Sequence, residues 1–214
     1  MKPFDIKHSQ NGSLKSIFVT CTYIRCKSFN VNSLKKVIKY FGILIILLIL
    51  FRGFLYRALV NYSKVGARNH ITLTDKNLIT EIDTQTDERK LSIEEIISLS
   101  NKITSERLSF TFNKTSSNPN VVSELKKANC IGYSALFNSI GNYMIRKQEL
   151  GDNYEFNHLV GELDFLGINI HSLFNSPFFK DHDFNEIRNK QTSEIIFVDP
   201  SLRDYLRIEN VTSE

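Results

Sequence analysis

The chain has 214 residues, enough for one domain of ordinary size with additional segments. Its composition, 42% apolar and 23% charged with three cysteines, excludes a disordered chain and a disulfide-built scaffold. The net charge of +4 is unevenly placed: Lys2, Lys7, Lys15, Arg25, Lys27, Lys35, Lys36 and Lys39 stand against Asp5 alone, a balance of +7 over residues 1–39, so the remainder carries −3. The basic character belongs to an N-terminal arm, and charge gives no support to a nucleic-acid partner for the rest.

The arm, residues 1–36, meets an apolar block. Tyr40 to Phe51 holds no charge, and Val37-Ile38 and Gly53-Phe54-Leu55-Tyr56 extend it past Lys39 and Arg52. A spanning helix takes about 20 residues, with Lys39 and Arg52 snorkelling outward and aromatic residues anchoring the ends. A core helix of a soluble fold would show a polar face, which this run lacks. A cleaved signal peptide fits poorly with so long a basic region and no small-x-small site after Phe51. The block therefore predicts one transmembrane helix over residues 37–58, with the N-terminus cytoplasmic and the C-terminal domain outside. Arg52, Arg57, Lys64 and Arg68 lie on the far side and soften that asymmetry. Cys21 and Cys26 fall on the cytoplasmic side at a spacing that matches no zinc pattern. Cys130 would be the only cysteine outside, with no intrachain disulfide partner.

Residues 59–90 are polar and Thr-rich and read as a connector, with Ile71-Thr72-Leu73 and Leu78-Ile79-Thr80 as short strands. The domain proper is expected over residues 91–214. Ser92-Ile93-Glu94-Glu95 matches a capping box, and Ile93, Ile96, Ile97 and Ile103 share one face, predicting a helix from Ser92 to Glu106. Phe110-Thr111-Phe112 alternates like a strand. Residues 114–120 form a loop by composition, and Val121 to Lys127 a short helix. At Asn129-Cys130 a polar segment gives way to an apolar run. Leu136, Phe137 and Ile140 recur at helical spacing, and Gly141 reads as the stop. Cys130 thus falls in the first turn of a buried helix, with Asn129 as its cap.

Beyond Gly141 the pattern is extended: Tyr143 to Arg146, then His158 to Leu163 after a turn at Gly151-Asp152-Asn153. Ile168 to Phe174 and Phe178-Phe179 read as core packing, with a lid or pocket wall over Cys130, or a surface against the membrane or a partner, as the second reading. His158 and His171 lie in apolar segments and read as structural or solvent-facing. Asp181 to Ile187 and Glu194 to Pro200 read as two strands joined by a polar turn, a hairpin that would bring His182 and Asp199 to one end of a sheet. The order of elements, helix then strands without β-α-β alternation, predicts an α+β fold with the Cys-bearing helix packed on an antiparallel sheet. No metal-ligand spacing, no phosphate-binding glycine loop and no internal repeat is present, so neither a metal nor a cofactor is expected.

A lone cysteine is more often a small buried hydrophobe than a nucleophile. At a helix N-terminus, beside a histidine and an acid, it becomes a candidate catalyst. Three stretches carry a resemblance: Cys130 with Ala135-Leu136-Phe137 behind it, His182-x-Phe184-x-Glu186, and Val198-Asp199-Pro200. In that order they resemble the core motifs of the transglutaminase-like superfamily, which has a papain-like Cys-His-Asp arrangement, here as a membrane-anchored bacterial-type member. The likeness covers roughly Leu91 to Val211. The stretch from Cys130 to His182 is longer than in compact members, and Phe184 stands where Trp is usual. The resemblance implies Cys130 as nucleophile, His182 as base and Asp199 as orienting acid, with Glu186 a structural motif residue. It implies a thioester acyl-enzyme formed at an amide bond of a protein or peptide, resolved by hydrolysis or acyl transfer. A binding or scaffolding module that keeps the fold without catalysis is the alternative.

Overall fold

The structure is a computed structural model that describes residues 31–87, 89–174 and 180–213. Most of the basic arm with Cys21 and Cys26, and Phe178-Phe179, lie outside the described residues. The chain divides into two units, Met1–Ile43 and Leu44–Glu214.

In the first unit the described residues belong to the opening of helix α1, Val31–Leu50. Its 20 residues would extend about 30 Å. Every described side chain from Leu34 to Phe51 is exposed, although nearly all are aliphatic or aromatic. No single helix is long and apolar enough to cross a membrane among the described residues. The expected continuous span over 37–58 is instead broken: α1 ends at Leu50, and α2, Arg52–Leu59, is bent away from it by 72°. Arg52 explains the break. Its Nη1 donates to the Ile49 carbonyl at 2.8 Å and its Nε to the Leu206 carbonyl, so the cation satisfies the end of α1 and ties α2 to the folded body. The pair α1 and α2 together has the length and composition of a bent span.

The second unit is α+β around an antiparallel sheet. Strand β1 (Val60–Arg68) pairs with β4 (Tyr154–Phe165), β4 with β6 (His182–Asn189), and β6 with β7 (Ile195–Val198), all antiparallel. The order is β1-β4-β6-β7, with the short β5 (Ile168–Asn169) on β4. A separate two-stranded parallel pair joins β2 (Ser109–Phe110) to β3 (Lys127–Ala128). The segment read as a connector is therefore folded. It supplies β1 at the sheet edge and helix α3 (Lys76–Thr86), whose Leu78 and Ile82 enter the core. The expected strand at Leu78–Thr80 is helical because Asp75 caps α3, its Oδ1 accepting from the backbone of Asn77 and Leu78. Residues 71–73 are irregular.

Helix α4, Ile93–Arg107, begins with both hydrogen bonds of the capping box between Ser92 and Glu95. Helix α5, Pro119–Leu125, has Asn118 as cap and Pro at its start. Helix α6 runs from Cys130 to Lys147 and lies on the sheet. Tyr133, Leu136, Phe137, Ile140 and Met144 of α6 meet Phe156, Ile187 and Val198 of the sheet. Each such large apolar side chain contributes roughly 1.5–3 kcal/mol by leaving water. Gly141 does not stop the helix, and Tyr143 to Arg146 are helical rather than extended. A Cβ at Gly141 would stand 2.3 Å from the Phe156 ring, so glycine is there to let strand β4 approach α6. The opposite sheet face is covered by the C-terminal segment. After helix α7, Ser201–Leu206, the residues Ile208 and Val211 pack on Val60, Tyr62, Leu159 and Phe184.

Candidate active site

Cys130 is the first residue of α6, and the helix starts there because Asn129 caps it, with Oδ1 accepting from the Gly132 N–H at 3.3 Å. Thr115 holds the cap in turn: its hydroxyl donates to Asn129 Oδ1 at 3.1 Å and accepts the Asn129 N–H at 3.2 Å. The thiol-bearing residue therefore stands at the positive end of the helix dipole. Cys130 is buried, with 8% of its surface exposed.

The β6–β7 hairpin supplies the partners. Asn185 pairs with Val198, so the start of β6 and the residue just beyond β7 lie at the same end of the sheet. There His182 Nε2 meets Asp199 Oδ2 at 2.6 Å. The Cys130 side chain lies close enough to the imidazole to interact with it electrostatically. The three residues singled out in the sequence, Cys130, His182 and Asp199, are thus brought together.

Asp199 is 1% exposed and saturated. Its Oδ2 accepts from His182 and, at 2.8 Å, from the Tyr62 hydroxyl; its Oδ1 accepts the Ser201 N–H at 3.0 Å and the Ser201 hydroxyl at 2.6 Å. Burial disfavours its charged form, but the His182 charge and the hydrogen bonds from His182, Ser201 and Tyr62 outweigh it and hold the carboxyl below the usual range. Burial likewise pulls the His182 value down, yet the Asp199 charge, the Asp199 hydrogen bond and the Cys130 side chain push it well above that of a free histidine.

A second cluster lies one residue along β6. Asp183, fully buried, takes Arg68 Nε at 2.5 Å and Nη2 at 2.9 Å, and His158 Nε2 at 2.6 Å. Register explains the meeting, since Arg68 faces His158 across β1–β4 and His158 faces Asn185 across β4–β6. Burial again opposes the charge on Asp183, and His158 and Arg68 still keep its value low. Glu186 accepts from Asn157 at 3.2 Å and from Arg188 at 2.9 Å, a structural role. Tyr62, Arg68, His158 and Asp183 were not singled out as site residues. Their partners come from strands far apart in sequence, and Tyr62 and Arg68 sit in the polar stretch that reads as a connector. Among the described residues no three His, Cys, Asp or Glu side chains converge as metal ligands.

A cleft of about 370 Å³ opens beside this cluster, between the end of β1, α6 and the loop before α5. Comparison of the chain with protein-family models, with curated proteins and with solved structures returns no match.

Proposed function

We propose that this chain is a membrane-anchored cysteine enzyme of transglutaminase-like type that acts on amide bonds of a protein or peptide. The observation that carries the reading is one imidazole bound to a buried carboxylate at 2.6 Å and lying within electrostatic reach of a cysteine at a helix start. In the proposed reaction the Cys130 sulfur attacks the carbonyl carbon, its proton residing on His182. The C–N bond breaks as His182 passes that proton to the departing amine, leaving a thioester on Cys130. Water attacks the thioester in a hydrolase, a second amine in an acyltransferase; His182 takes up the proton of either. Asp199 keeps the ring oriented and compensates its charge. The Cys130 N–H, pointing out of the helix start, supports a share of the oxyanion binding. Anchoring through α1 and α2, with the N-terminus inside, is supported by the exposed apolar surface of α1 and the basic arm before it.

The second reading, a non-catalytic binding module, draws on the small exposure of Cys130. Iodoacetamide labelling separates the two. An activated Cys130 reacts fast at pH 6, and more slowly after His182→Ala. A thiol that labels equally slowly in both proteins, with no acyl-enzyme detected by mass spectrometry on peptide amides, overturns the enzyme reading.

A further inference from the structure

We propose that the cleft between β1, α6 and the loop before α5 receives an acidic side chain of the substrate, with Arg68 as the receptor of its carboxylate. This rests on the catalytic reading of Cys130. Ser134, one turn beyond Cys130, donates to the Asp183 carbonyl at 2.8 Å, and Asp183 directly follows His182. Arg68, which grips the Asp183 carboxylate and lies within electrostatic reach of Cys130, lines the cleft together with Ile71, Pro119, Ala135 and Ser139. The cleft and the thiol thus share helix α6, and Arg68 links the cleft to the residue that follows His182.

The chemical class follows from which donors are already used. The Asn138 amide N–H groups donate to the Phe156 carbonyl and to Asn185 Oδ1, and its Oδ1 accepts from His70 Nδ1 and Asn142 Nδ2. The Ser139 hydroxyl donates to the Ile71 carbonyl at 2.5 Å. His158 spends Nε2 on Asp183. Arg68 has five N–H donors, and Asp183, itself wholly buried, takes only the Nε and Nη2 edge. The Arg68 side chain is 33% exposed, and Asp183 holds its Nε and Nη2 edge, which leaves the Nη1 donors outside that ion pair. No acidic side chain is among the described residues lining the cleft. Asp181 acts on Arg68 from outside the lining, which keeps the preference moderate. The volume suits one side chain of glutamate size with its waters.

The test uses the full chain in detergent and three N-acetyl dipeptide chloromethyl ketones that differ in the last residue, Glu, Gln or Leu. The rate of Cys130 alkylation is read by mass spectrometry. One charge-assisted hydrogen bond predicts that the Glu compound reacts about tenfold faster than the Gln compound at low salt. The advantage should shrink as salt rises. Arg68→Gln should remove it. Because that change strips a buried carboxylate of its cation, Ser117→Asp on the exposed cleft rim is the second variant, and it should lower the Glu rate while sparing the Leu rate. Equal rates for the three ketones, with His182-dependent labelling intact, overturn the acidic subsite and leave the catalytic reading standing. A Cys130 that reacts with no ketone and no faster than a free thiol with iodoacetamide overturns both.

Discussion

The Tyr62 hydroxyl donates to Asp199 Oδ2 at 2.8 Å, on the same oxygen that binds His182, and itself contacts the Tyr56 hydroxyl at 2.7 Å. Tyr62 is fully buried and its ring lies edge-on to His182, with centroids 5.9 Å apart. It therefore fixes the carboxylate that fixes the imidazole. Tyr62→Phe keeps the ring and deletes one of the four hydrogen bonds on Asp199. We expect a loss of about 1–3 kcal/mol in denaturant unfolding, the range for leaving a buried acceptor underused. Cys130 alkylation should slow as well; an unchanged rate would reduce Tyr62 to a packing residue.

Loss of the three central side chains should not add. Cys130→Ala removes the proposed nucleophile, and His182→Ala should bring turnover on a peptide amide nearly as low. The double variant should be little worse than either single one, since the residues act as a unit. Asp199→Asn should be milder, because it retains an acceptor for the ring but not the charge. Single-turnover rates on one amide substrate across these variants measure this, and additive losses would dismantle the triad.

The His182–Asp199 pair also sets a pH window for stability. His182 holds its proton more tightly folded than unfolded. Its contribution is therefore full below the ordinary histidine value and is lost as pH rises toward the raised one. Asp199 holds its proton less tightly when folded, so its contribution is present above the ordinary carboxylate value and is lost as pH falls toward the depressed one. Melting temperature should peak between these limits. Asp199→Asn should move the alkaline fall toward acid, and an NMR titration of the His182 ring should show the same displacement. A ring that titrates at the free value in the parent protein would contradict the buried ion pair.

Gly141→Ala tests the close approach of α6 and β4. The new methyl would stand within 2.3–2.8 Å of three Phe156 ring atoms. Overpacking of this kind costs typically about 1–3 kcal/mol. Phe156→Leu in the same chain should return part of the loss, giving a double-mutant coupling of opposite sign to the single effects.

Local chemistry was legible in the sequence; pairing across the sheet was not. The capping box at Ser92, the polar-to-apolar switch at Cys130, and the hairpin carrying His182 and Asp199 all formed where spacing and turn residues place them. Each depends on neighbours a few residues away. Strand β1 was hidden because Val60 to Arg68 is half polar and buries only Val60 and Tyr62, so its alternation is weak, and its place is set by β4 nearly a hundred residues later. Gly141 misled for the converse reason: its role lies in the Phe156 ring against it, not in its own turn of helix. The Arg68–Asp183–His158 cluster joins three strands, and nothing local announces it. The long apolar block was plain, but the bend at Phe51 depends on Arg52 reaching Leu206, a contact between distant parts of the chain.

That contact limits how far the site can search. Only Phe51 separates α1 from α2, and α2 is fastened to the body by Arg52 on Leu206, Arg57 on Asn210 at 3.0 Å, and Tyr56 on Tyr62. With α1 read as the anchor, the single residue between Leu50 and α2 is too short to act as a leash. Effective concentration is then high for targets held near the same surface and low for those free in solution. Such an enzyme would choose its substrates by where they reside before choosing them by what they contain.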